Sequence, residues 1–340
     1  MKQRFYYLDN ICAILIFYII YIYHISFLFG CYKYFVFKYV GITLSFFMSW
    51  FFFKGGMMHK KSSFKEVINK STKRLLVPYF IFLLIGLLID CLGKFTGNGS
   101  LTILVFLKEE FETVTNTSIL WPTGASWFLL SLFVVRFSFN YLFTKVHPII
   151  ISIFFAFAAY GISIIHSRGW SFNLFGCTPD MHLYIPFYIG NMCHGLSLYS
   201  LGYFIKEKQF HKYILFFALF LFVLKFFFPA GIDFRANNSY GSNFLLAILY
   251  GMAGCIVVNN VFRRYLNYSV PLVTYIGSNS MLYYLIHYPI ISLSLFLFGN
   301  IIEEYNIWVR FFVISIIVTF SLLIAELIFR NKSIRFVIGG

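Results

Sequence analysis

Charge is scarce in this chain. Only 11% of the residues are Asp, Glu, Lys or Arg, less than half of the roughly 25% found in soluble domains, and this excludes a water-soluble globular protein. The charge that remains is one-sided, with 27 basic against 12 acidic residues. The six cysteines, Cys12, Cys31, Cys91, Cys177, Cys193 and Cys255, form no CxxC pair and no metal-type spacing, so they read as small apolar residues. No P-loop, GxGxxG, GxSxG or HExxH is present, and no metal is expected. Proline-rich and Gly/Ser-rich linkers are missing, as is any repeat of fixed period. The simplest organisation is one integral membrane domain over residues 1–340.

Apolar residues fill the space left by charge. They make up 60% of the chain, 23% of all residues are aromatic, and the mean hydropathy is +0.80, a composition suited to lipid-facing helices and interfacial rings. Apolar runs long enough to cross a bilayer lie at 10–30, 36–54, 75–94, 126–144, 148–165, 183–206, 212–230, 244–262, 272–298 and 306–329. The fold class predicted is all-α: a polytopic membrane protein of about ten helices. The first run is too long for a secretory h-region and lacks a small-residue cleavage site, so it reads as a retained span.

Basic residues accumulate on the cytoplasmic side of membrane proteins. With the amino terminus inside, most of them fall in cytoplasmic segments, among them Lys54, Lys60, Lys61, Lys65, Lys70, Lys73, Arg74, Lys206, Arg263, Arg264 and Arg330. Glu109, Glu110, Glu112, Asp180, Asp233, Glu303 and Glu304 fall outside. Ten spans with both termini cytoplasmic satisfy this rule. The net charge of +15 is then a topology signal and an attraction to anionic headgroups of the bilayer, and no nucleic-acid partner is needed. Within the outer loop, Leu101 to Val114 has the pattern of a short interfacial helix.

Two histidines stand at membrane depth. His24 lies about 14 residues into the first span and His287 about 15 into the ninth, so both sit roughly 20 Å in on outward-running helices. Trp127, at the outer end of the fourth span, reaches a similar level. Ionisable groups at such depth are costly and mark sites or pathways. For His24 the role is general base, the alternative being a packing hydrogen bond across helices. His287 either lines the same site or satisfies a carbonyl freed by Pro289. His194 sits near mid-span in the sixth run, whereas His59, His147, His166, His182 and His211 fall at span ends or in loops and read as solvated. Of the remaining charges in or near spans, Arg136, Lys225, Asp90 and Glu326, Arg136 is the deepest arginine; a structural pair with Glu326 is its alternative. Ser49 reads as a packing residue.

The order of motifs resembles the acyltransferase-3 family of bacterial multispan proteins. The motifs are Tyr7-Leu8-Asp9-Asn10 followed by His24, Phe46-Phe47-Met48-Ser49, and Lys73-Arg74-Leu75-Leu76-Val77-Pro78-Tyr79. They continue through Ser126-Trp127-Phe128-Leu129, Leu201-Gly202-Tyr203, and Ile276-Gly277-Ser278-Asn279-Ser280 leading to His287. The resemblance covers nearly the full length. It implies a membrane O-acyltransferase of the bacterial cytoplasmic membrane that moves an acyl group, most simply acetyl, from acyl-CoA (acetyl-CoA). The acceptor implied is a hydroxyl of an envelope or capsular polysaccharide, or of its lipid-linked precursor. Lys70, Lys73 and Arg74 at the cytoplasmic mouth would hold the donor phosphates. In the family an arginine precedes the first-span histidine by about eleven residues; here that place falls at Cys12, and Arg136 is the candidate replacement cation. The rival reading is a transporter or flippase of a lipid-linked sugar, for which no inverted repeat of broken helices is evident. A scaffold would leave His24 and His287 unexplained.

Overall fold

The computed structural model describes residues 5–96, 107–111, 113–114, 121–167, 171–172, 183–184, 187–206, 212–230, 243–331 and 334–339. Among the described residues, each of the ten predicted runs contains a helix. We label these α1 (Tyr6–Leu28), α2 (Phe35–Met57), α3 (Phe64–Leu92), α4 (Pro122–Leu142), α5 (Pro148–Ser167), α6 (Phe187–Ile205), α7 (Lys212–Leu224) and α8 (Phe244–Tyr265). The ninth run is two helices, α9 (Pro271–Ser278) and α10 (Ser280–Ile302), and α11 (Ile307–Phe329) follows. Among the described residues, eight helices are long and apolar enough to span a bilayer. At 13 residues α7 is shorter than the roughly 17 that a span needs. Among the described residues, a two-residue antiparallel strand pair, 171–172 with 183–184, is the only β structure. Of the expected interfacial helix at 101–114, residues 107–111 are helical and most of the remainder lies outside the described residues.

Side-chain periodicity sets which faces meet lipid. Along α3, Phe80, Leu84, Leu88 and Leu92 recur every four residues and are exposed, while Tyr79 and Phe82 turn inward and are buried, the pattern of a helix at the bundle perimeter. One continuous apolar core runs from Tyr7 to Ile338. Helices approach closely where glycine allows it: a Cβ on Gly202 would lie 2.1 Å from the Phe53 carbonyl oxygen, and one on Gly277 would lie 1.7 Å from that of Asp9. Ser49 is buried and faces Gly251, as its packing role predicts.

Asn10 Nδ2 donates to the carbonyls of Leu266 and Tyr268 at 2.9 and 3.1 Å, and Thr274 donates to Asn10 Oδ1 at 3.0 Å. These bonds tie the start of α1, the end of α8 and the start of α9 at one end of the bundle, where Arg263, Arg264 and Arg330 also lie. We call it the basic end. At the opposite end, Tyr34 packs on Trp308 and Tyr160 stacks on Phe244 at 4.6 and 4.0 Å between ring centroids.

Helix interruptions shape the interior, three of them as follows. α1 is π-helical from Tyr18 to Ile25. α2 breaks at Ser45–Phe46, between its segments Phe35–Leu44 and Phe47–Met57. α9 and α10 meet at Asn279, whose side-chain amide donates to the Tyr275 carbonyl at 3.0 Å. The first two lie beside the site described next.

Candidate active site

The π-helical stretch of α1 widens the turn that carries His24, a device common at functional sites. It brings the carbonyl of Ile19, five residues back, to 3.0 Å from His24 Nδ1. On α10, His287 is 0% exposed. Pro289 removes the N–H that would reach the Leu285 carbonyl, yet the imidazole takes other acceptors: Nδ1 lies 2.7 Å from the Tyr284 oxygen and 3.2 Å from that of Tyr283. The two rings then meet, with His287 Nε2 at 3.1 Å from His24 Nδ1.

This network assigns the protons. Carbonyls only accept, so His287 Nδ1 carries hydrogen, and the Nε2 of the neutral ring is an acceptor. His24 Nδ1 must therefore donate to it, which leaves the lone pair of neutral His24 on Nε2. The arrangement is a directed pair: backbone carbonyls orient His287, His287 orients His24, and the basic nitrogen of His24 faces away from its partner.

Aromatic rings enclose the pair. Tyr23 and Tyr288 stand edge-on to His24, both at 5.0 Å. Tyr284 lies 5.9 Å from His287 and packs on Phe128 at 5.6 Å, and Phe128 in turn packs on Trp127 at 6.0 Å. Trp127 thus belongs to the same layer as the histidines, two rings removed from His287. Tyr283 links the pair to the basic end: its carbonyl receives the His287 contact, while its hydroxyl donates to Glu326. Glu326 also accepts from Tyr275 at 2.6 Å and from Arg330 at 3.0 Å. It is therefore not the partner of Arg136.

Lys70, Lys73, Arg74 and Arg136 do not converge on the histidines. Lys70 is exposed and paired with Glu66 on the same helical face, and Lys73 and Arg74 are exposed. Arg136 is half-buried on α4 within electrostatic reach of His59 and Tyr199. Lys54 was read only as an orientation signal, yet it approaches the first helix at the position where the family arginine is missing: its Nζ lies 3.0 Å from Cys12 Sγ. No signal in α2 alone marks that approach, because it depends on how α1 and α2 cross.

One expectation is corrected. His59 is not solvated but 4% exposed, enclosed by Phe139, Phe143, Tyr199 and Tyr203 at 5.1 to 5.7 Å. Its Nδ1 lies 2.9 Å from the Tyr199 hydroxyl. Burial, reinforced by the charges of Arg136 and Lys206, holds its pKa down at about 4. The short chain between α2 and α3 turns back into the bundle, which the polarity of the loop conceals. His194 is also buried, on α6, and His147 is exposed as expected. His166, His182 and His211 have side chains outside the described residues.

A multispan helical bundle that holds two imidazoles in contact within its interior defines an integral membrane protein with an ionisable pair between its helices. The chain belongs to the acyltransferase-3 family: the family model, described as an acyltransferase domain, matches residues 5–326. It is a membrane acyltransferase that transfers groups other than amino-acyl groups. No curated protein and no solved structure matches it.

Proposed function

We propose that this protein is an O-acetyltransferase of the bacterial cytoplasmic membrane, taking acetyl from acetyl-CoA to a hydroxyl of an envelope polysaccharide or its lipid-linked precursor. The observation that carries the reading is the contact between His287 Nε2 and His24 Nδ1, because it presents a basic nitrogen at membrane depth in a fixed tautomer. His24 Nε2 takes the proton of the acceptor hydroxyl as its oxygen attacks the thioester carbonyl. The new C–O bond forms, the C–S bond breaks, and the proton held by His24 passes to the departing thiolate. His287 stabilises the imidazolium through its acceptor nitrogen, the role that an orienting group plays beside a general base.

The donor enters from the basic end. Lys70, Lys73 and Arg74 attract its phosphates there, and Lys54 beside Cys12 takes the place proposed for the cation that the first span lacks. Lys54 is preferred over Arg136 because it touches α1 itself, the helix that carries His24, whereas Arg136 faces the His59 cluster. Twelve residues of α1 separate Cys12 from His24, a rise of about 18 Å, along which the acyl arm lies. Trp127 and its aromatic neighbours keep water from the reacting thioester.

Incubating membranes that contain the protein with radiolabelled acetyl-CoA tests this reading. Label recovered in a glycan fraction and released by mild alkali is expected of an ester. Movement of lipid-linked sugar across the membrane with no label transferred would replace the reading with transport.

A further inference from the structure

A cavity of about 380 Å³ opens beside the histidine pair in the half of the bundle away from the basic end. Tyr18, Tyr23 and Phe27 of α1 form one wall, Phe37 and Ser45 of α2 another, and Lys225 at the end of α7 a third. Tyr23 is shared with the active site, since its ring stands edge-on to His24. Whatever fills the cavity therefore lies next to the proposed base.

Lys225 is the unusual member. It is 1% exposed, deep in a bundle where burying a cation is costly. Its Nζ donates to the Thr43 carbonyl at 2.6 Å, one of the carbonyls left open where α2 breaks at Ser45–Phe46, and it stands 3.9 Å over the Phe222 ring. An ammonium has three donors, and no carboxylate pairs with this one among the described residues. Lys38, exposed at the rim, adds a second positive charge to the same cavity. Aromatic walls suit the apolar faces of a pyranose ring, and two cations with no protein anion beside them among the described residues suit a negative substituent on it.

We propose that this cavity is the acceptor subsite and that Lys225 selects a sugar carrying an anionic group, either the phosphate of a lipid-linked sugar or the carboxylate of an acidic sugar. The assignment of an acceptor rests on the acyl-transfer reading; the anion preference rests on Lys225 and the cavity alone. Capping the broken α2 accounts for one N–H of Lys225, and the anion takes the others.

Equilibrium binding to the purified full chain in detergent separates the two roles. The probes are labelled glucose, glucuronate and glucose 1-phosphate. The wild type is expected to bind at least one charged probe about tenfold more tightly than glucose, the scale of a charge-assisted hydrogen bond. Preference for glucose 1-phosphate alone identifies a phosphate, and preference for glucuronate alone a carboxylate. Lys225→Gln, which keeps an N–H for the Thr43 carbonyl, is expected to erase the preference, and Lys225→Arg to retain it. Equal binding of all three probes by the wild type, or a preference that survives in Lys225→Gln, would overturn the proposal. Absence of acetyl transfer with the charge preference intact would remove the reaction and leave the anion site standing.

Discussion

His24 and His287 differ in what surrounds them, and that difference sets their roles. His287 is fully buried with Nδ1 committed to two backbone carbonyls, so its place is to accept one hydrogen bond and hold a ring in position. His24 is only half-buried, beside Tyr23, which lines the cavity next to Lys225. Replacing His287 with Phe removes the acceptor that fixes the His24 tautomer. Loss of an orienting partner costs about 10- to 100-fold in activity, and initial rates of acetyl transfer by the variant measure it. His59 makes a prediction of another kind. Its folded pKa of about 4 lies below the ordinary 6.5, so the unfolded chain binds a proton first as the pH falls. The stability it contributes is complete above pH 6.5 and is lost as the pH drops from there to about 4. Melting curves in detergent across that window are expected to fall less steeply for His59→Gln than for the wild type.

At the scale of helices, close crossings and local breaks build the site. Gly202 lets α6 touch α2 at the Phe53 carbonyl, whereas Gly41 has nothing within 4 Å of its missing Cβ. Gly202→Ala is therefore expected to destabilise the protein by about 1–3 kcal/mol, while Gly41→Ala leaves the melting temperature unchanged or slightly raised; differential scanning fluorimetry distinguishes them. The positions of the helices were legible in the sequence, because a run of apolar residues must satisfy its own backbone in lipid. The breaks were not. The π-helical turn at Tyr18–Ile25, the interruption at Ser45–Phe46 and the junction at Asn279 leave the hydropathy of their runs intact, and so they are silent to a reading by hydrophobicity. His287 was legible as an intramembrane imidazole, but its contact with His24 depends on the packing of α1 against α10. Lys54 was hidden for the same reason, and His59 because a polar loop gives no hint that it folds inward.

For the whole molecule, the helices place Lys54, Arg263 and Arg330 at one end and Tyr34, Tyr160 and Trp308 at the other. If the basic end is cytoplasmic, as the distribution of Lys and Arg implies, the donor and the acceptor approach from opposite faces and meet at the histidines. In a background without native cysteines, Lys60→Cys is expected to resist an impermeant thiol reagent applied to intact spheroplasts, and Tyr305→Cys to react. The reverse pattern would invert the topology. The central claim concerns His24 as the base, and the most direct measurement compares acetyl transfer by purified wild type and His24→Ala of matched melting temperature. The account predicts a loss of about 10²- to 10⁴-fold, the contribution of a general base; an unchanged rate in the folded variant would contradict it.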